Sequence, residues 1–184
     1  MQTLVSSGFV QMMALYNAEM NQRVFAAAAR LTDQDRRKQR GAFWGSIHGT
    51  LCHLLWGDQM WMCRFDGWAK PSTTQKESAN MIDSFDELRI TRAQADAGIS
   101  EWAARVRDGW LREEQSWFSL SVGREMRTAR GILVAHFFNH QTHHRGQVHT
   151  MITAAGEQTG DTDLFLVVES SPVDVAGLPG FVPN

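Results

Sequence analysis

The chain has 184 residues, 43% of them apolar and 21% charged, which is enough for one domain with its own core and unlike a disordered protein. A formal charge of -2 and a pI near 6.4 supply no basic field for nucleic acid; the densest basic cluster, Arg36, Arg37, Lys38 and Arg40, is short and preceded by Asp33 and Asp35. No stretch reaches the roughly 18 to 20 apolar residues that span a bilayer, and no basic-then-apolar leader opens the chain, so the expectation is a single cytoplasmic domain over 1–184 with no membrane or nucleic-acid partner.

Four long segments carry helical periodicity. In the first, Phe9, Met13, Tyr16, Met20, Val24 and Ala27 recur at spacings of three and four, which predicts a helix over roughly 5–30. The polar stretch from Thr32 to Arg40 links it to a second helix, where Ile47, Leu51, Leu54, Trp61 and Phe65 repeat the pattern until Asp66 and Gly67 interrupt it. Lys70 to Asn80 then reads as a surface loop. Ser84 followed by Glu87 is a capping-box signature, and Phe85, Leu88, Ala95, Ile99, Trp102, Val106 and Trp110 extend a stripe along a third long helix.

Between Ser116 and Thr128 the pattern alternates, with Gly123 at a turn position, and predicts a short hairpin. The fourth helix follows over roughly 131–155, with Leu133, His136, Phe137, His140, His144, Val148 and Met151 along one side and Gly156 as its stop. The remaining tail holds one apolar run, Leu164 to Val168, then Pro172, Gly177, Pro179 and Gly180, which suits an extended segment laid on the helices. Cys52 and Cys63 lie eleven residues apart on one predicted helix. At about 1.5 Å per residue that is roughly 16 Å, beyond disulfide reach, so both read as thiols.

The chemical signal is in the histidines. Of seven, five fall within the fourteen residues HFFNHQTHHRGQVH: His136, His140, His143, His144 and His149. Residues four apart on a helix differ by about 40° in direction and 6 Å in height, so His140 and His144 can aim two imidazoles at one point. A single histidine on an apolar face is better explained as packed, with a ring nitrogen on a carbonyl. Burying several together costs roughly 1 to 3 kcal/mol for each unsatisfied polar group, a penalty that metal coordination offsets. A third ligand would come from another helix, where His48 and His53 both qualify. Spacing alone selects neither between those two nor between the pairs 136/140 and 140/144.

GSIHGTLCHLLWGDQMW, NHQTHHRGQ and the later DTDLFLV resemble the DinB/YfiT-like family of metal-binding four-helix-bundle proteins, over nearly the whole chain. The resemblance implies an all-α four-helix bundle. It also implies one divalent transition-metal ion held by His53 of the second helix and by His140 and His144 of the last. Relatives often carry asparagine just before the helix-two histidine. Here Cys52 stands there, its thiol turned about 100° from His53 on an ideal helix and so poorly placed as a fourth ligand. His48, His136, His143 and His149 keep at most supporting roles. Asp58 and Arg145 either orient ligands or substrate or form an interhelical ion pair, and Gly146 suits close helix packing. Trp44, Trp56, Trp61 and Trp68 are candidates for a pocket wall, with ordinary core as the alternative.

Imidazole ligands suit several ions, zinc and nickel foremost. Three protein ligands leave a coordination position open, and the family includes thiol-dependent transferases and a mycothiol-dependent isomerase. The resemblance therefore implies a metal-dependent enzyme acting on a small molecule, with a low-molecular-weight thiol as co-substrate or metal-assisted hydrolysis as a further possibility. The alternative is a non-catalytic stress-response or binding protein whose metal ties helices together. The family resemblance also implies a homodimer. No nucleophile elbow, Gly-rich phosphate loop or persuasive general base accompanies the histidines.

Overall fold

The computed structural model describes residues 4–119 and 122–169. Among the described residues the protein is mostly helical, with one small two-stranded sheet. Its four long helices are α1 (Ser7–Ala29), α3 (Ile47–Phe65), α4 (Phe85–Arg105) and α6 (Arg130–Ala154), each following one of the predicted apolar stripes. Three begin on serine: Ser6, Ser46 and Ser84 accept hydrogen bonds from the amides of Phe9, Gly49 and Glu87. Each such cap contributes about 1 kcal/mol by satisfying an amide the helix cannot. The last helix stops as expected, with Gly156 at a φ of 92° immediately after its C-cap, a conformation that favours glycine.

α1 packs on α4 and α6, and α3 on α6 and α4. One apolar cluster, around Phe25, Leu51, Leu55, Leu88 and Ile152, fills one end of this arrangement. A second, around Met62, Phe65, Trp102, Phe137 and Phe138, fills the other.

Between the helices runs a buried polar network that the apolar stripes do not announce. Arg92 of α4 donates from Nη1 to Asp58 of α3 at 2.6 Å and pairs through Nη2 with Asp96 at 2.9 Å. Asp58 also accepts from Gln141 of α6 at 3.0 Å, and Asp96 accepts from Asn21 and Asn17 of α1 at 2.8 and 3.2 Å. Arg145 of α6 joins by donating to Asn17 Oδ1. Burial pushes the Asp96 carboxyl up to about 6 against the opposing pull of Arg92, and pushes Arg145 down to about 10. Asp58 and Arg145 thus serve as interhelical partners, one of the two roles open from the sequence.

Four details differ from expectation. The polar link after α1 holds a short helix, α2 (Asp33–Arg37), capped by Thr32. The third long helix ends at Arg105, where Val106 turns extended, and Asp108–Arg112 forms a separate helix, α5. Trp110 is therefore not on the third helix. The loop 70–80 is not featureless: Gln75–Asn80 is a 3-10 helix with a Thr74–Glu77 capping box. Finally, Leu164–Glu169 is helical (α7), not extended. Val167 and Val168 are buried while Phe165 and Leu166 are exposed, a helical spacing within a run too short to show its period. The rest of the predicted tail, with Pro172, Gly177, Pro179 and Gly180, lies outside the described residues.

The hairpin is present as β1 (Glu114–Ser119) and β2 (Arg124–Ala129), antiparallel, with Trp117 opposite Met126.

Removing Arg92 leaves two buried carboxylates without their cation. Arg92→Met is expected to lower stability by about 3 to 5 kcal/mol, read as a lower urea midpoint at unchanged slope.

Candidate metal centre

His53 sits in the first half of α3, and His140 and His144 lie one turn apart in the middle of α6. Each offers one ring nitrogen to a common space, and the three nitrogens lie within 4.8 Å of one another. The two ends of this triangle are held by different means. His53 Nδ1 lies 2.9 Å from Ser78 Oγ, whose own hydrogen goes to the Gln75 carbonyl at 2.7 Å. Ser78 can therefore only accept, so Nδ1 of His53 carries the proton and Nε2 presents its lone pair. His144 follows the same rule: Nδ1 donates to Gln147 Oε1 at 2.8 Å, which leaves Nε2 as the lone-pair nitrogen.

His140 completes the set. Its Nε2 lies 3.3 Å from Nε2 of His53, and its buried Nδ1 has no hydrogen-bond partner among the described residues. A single N–H on His140 satisfies one of the two neighbouring lone pairs at most. The cluster therefore holds more lone pairs than protons, and a cation fits it better than protein groups alone.

Burial, reinforced by the neighbouring imidazoles, holds His53 and His140 down to about 3, and burial also lowers His144. All three are neutral near pH 7, the state a ligand needs.

The surroundings fix the rings further. The indole of Trp44 stacks on His53 with ring centres 3.8 Å apart, and Trp56 lies beyond at 5.8 Å with its indole N–H on the Thr73 carbonyl. Trp44 is delivered by a tight turn in which Gly45 donates to the Ala42 carbonyl, flanked by Gly41 and Gly45 at φ of 73° and 78°. Gly57 of α3 is where His140 crosses: a Cβ there would stand 2.8 Å from His140 Cε1. Trp61 meets His136 edge-on at 5.2 Å and Trp117 of the hairpin at 6.2 Å. Trp68 instead packs against Gly98 of α4.

Of the seven histidines, the structure thus brings together His53, His140 and His144. His48, the other candidate on α3, bonds the Ile82 carbonyl through Nε2 at 2.8 Å, and Cys52 donates to the same carbonyl at 3.4 Å, its thiol pushed up to about 11 by burial. His136 is exposed, with its ring centre 6.0 Å from that of His140. His143 lies against the Gln147 amide, and His149 pairs with Thr159. Gly146 is exposed, with nothing within 4 Å of where its Cβ would be, so it does not serve close helix packing. Ser78 and Gln147 are contributors the sequence reading missed; the Thr74–Glu77 spacing marks the turn that carries Ser78.

A model of the DinB family matches residues 1–173. The chain belongs to the DinB family. Among solved structures, a DinB-like protein from Bacillus cereus ATCC 10987 is similar over 79% of this chain and 90% of its own, with a TM-score of 0.59 and 19% identity. At that identity the likeness concerns the fold. No curated protein matches the chain. No described helix is long and apolar enough to cross a membrane. A cleft of about 670 Å³ between α1 and α4 has none of these histidines in its lining.

Two outcomes follow. Ser78→Ala frees the His53 ring without touching a ligand, and metal affinity measured by competition with a chelator is expected to fall roughly 10- to 100-fold. Because burial holds these imidazoles below their ordinary 6.5, the unfolded chain takes up protons that the folded chain does not. The metal-free protein is therefore expected to keep its stability above about pH 6.5 and lose it progressively as the pH falls towards 3. Thermal melts across that range check it, and His53→Ala/His140→Ala should flatten the decline.

Proposed function

We propose that this DinB family member binds one divalent transition-metal ion, zinc or nickel by ligand chemistry, through His53, His140 and His144. On this reading it is a metal-dependent enzyme acting on a small molecule, with a low-molecular-weight thiol as the favoured co-substrate. The observation that carries the reading is the convergence of three imidazoles whose ligand nitrogens lie within 4.8 Å of one another, a group that no fourth histidine, cysteine or carboxylate joins among the described residues. Structural zinc sites usually complete four protein ligands, whereas catalytic sites keep a position open. In the same reading α1, α3, α4 and α6 form the four-helix bundle of the family, with the site between α3 and α6.

When bound, such an ion supplies Lewis acidity and favours the deprotonated form of a water or thiol next to it. The chain's own part is positional. Ser78 and Gln147 hold the Nδ1 protons of His53 and His144, so that both rings keep one tautomer. Trp44 and Trp56 cover the His53 ring, restricting water there, and Gly57 leaves the room His140 needs.

Metal content of untagged protein, measured by plasma mass spectrometry, is expected to be about one ion per chain and to be lost in both His53→Ala and His140→Ala. An ion retained in both variants, or none in the native chain, would remove the assignment. Cobalt-substituted protein should change its visible spectrum on adding a small thiol. A spectrum indifferent to thiol would leave the ion a structural role.

A further inference from the structure

α1 carries a second stripe besides the one it buries against the other helices. Leu15, Ala18, Gln22 and Ala26 recur at spacings of three and four and line one wall of the cleft of about 670 Å³. Arg89, Ala93, Ala97 and Ser100 of α4 line the other wall at the same kind of spacing. Of these, Gln22, Ala26, Ala93 and Ala97 are exposed. The polar side chains that reach the cleft from the interior, Asn21, Arg92 and Asp96, are already engaged with one another. Its floor therefore offers shape and apolar contact, not an unmet charge. A broad apolar recess on a helix face is the mark of an interaction surface.

α7 stands at the rim of this cleft. Leu164 and Val167 turn towards Tyr16 and Met20 of α1, and Val167 also lines the cleft. Phe165 is left on the outer side of α7, 63% exposed. A large apolar knob beside an apolar recess is the pattern of a two-fold interface, in which one patch meets its own copy and each protomer supplies what the other receives.

The charges on the same face agree. α1 and α4 run antiparallel: Phe25 stacks on Phe85 at the start of α4, while the Ser7 amide donates to Asp108 beyond its end. Asp96 is level with Asn17 and Asn21, so Glu19 lies midway along one wall. Arg89, a little short of two turns before Asp96, lies about 10 Å further along on the other wall. A two-fold axis between them sets Glu19 against the partner's Arg89 and, by the same operation, Arg89 against the partner's Glu19. Within the chain both make surface ion pairs on their own helices, Glu19 with Arg23 at 2.7 Å and Arg89 with Asp86 at 3.6 Å, which contribute little and are easily exchanged.

We propose that the α1–α4 cleft and α7 form a two-fold interface with a second copy of this chain, in which the partner's Phe165 enters the cleft and Glu19 pairs with the partner's Arg89.

Sedimentation velocity of the full chain over a range of concentrations tests it. The expected species has about twice the 20.8 kDa mass of the chain. Ala93→Glu places a charge in the recess at an exposed helical position, so it should fold normally, as circular dichroism would show. It should weaken association by about tenfold or more, as should Phe165→Ala. Glu19→Arg and Arg89→Glu should each weaken it too, and the combined Glu19→Arg/Arg89→Glu should recover most of the loss, because the swapped charges meet again across the axis. The charge swap decides the matter if Ala93→Glu is unstable. A native chain that stays monomeric overturns the proposal, whether residues 170–184 or nothing then covers the cleft. So does a dimer indifferent to Ala93→Glu and Phe165→Ala, which would place the interface elsewhere. A combined variant no better than either single one would overturn the pairing of Glu19 with the partner's Arg89.

Discussion

The buried ion pair between Arg92 and Asp58, with Asp96 on its other side, is the contact on which the arrangement of the helices depends. Two carboxylates and a guanidinium in an apolar interior tolerate little displacement, because each lost partner leaves a desolvated charge. All four long helices contribute to the network around them: Asn17 and Asn21, Asp58, Arg92 and Asp96, and Gln141 and Arg145. The network is interleaved with the histidines. Gln141 and Arg145 follow His140 and His144 by one residue, and Asp58 lies five residues beyond His53. The register that brings Gln141 to Asp58 also brings His140 to His53, so a slip of α6 would cost both at once.

The histidine cluster is stable in a different way. Its three rings are kept neutral by burial, and two of them are pinned through Nδ1 by acceptors whose own hydrogen bonding leaves no alternative tautomer. Trp44 packs flat on the most buried ring from a turn that belongs to neither α3 nor α6. Ligand geometry thus draws on helix spacing, on a 3-10 turn and on a loop, three elements with independent local causes.

Much of this was legible in the sequence. The long helices follow from apolar spacing, and the hairpin from alternation around Gly123. The pairing of His140 with His144 is a property of any helix, but its choice over 136/140, and of His53 over His48, depended on family resemblance, because helical period does not reveal which face meets a neighbour. Ser78 was hidden in a polar stretch with no period. The network residues were hidden for the opposite reason: Asn17, Asn21, Arg92 and Asp96 lie at buried positions where an apolar reading sees only interruptions. Leu164–Glu169 misled because a five- or six-residue apolar run fits either a strand or a turn and a half of helix.

His53 and His140 are 87 residues apart in the chain. A contact of that span closes a large loop, and its entropic cost is met only when most of the intervening structure already holds the ends together. During synthesis, α1, α3 and α4 emerge before α6 exists, so Asp58 must wait for Gln141 and His53 for both of its partners. Those contacts can close only once α6 has been made, and a chain truncated before residue 140 carries a single imidazole of the three.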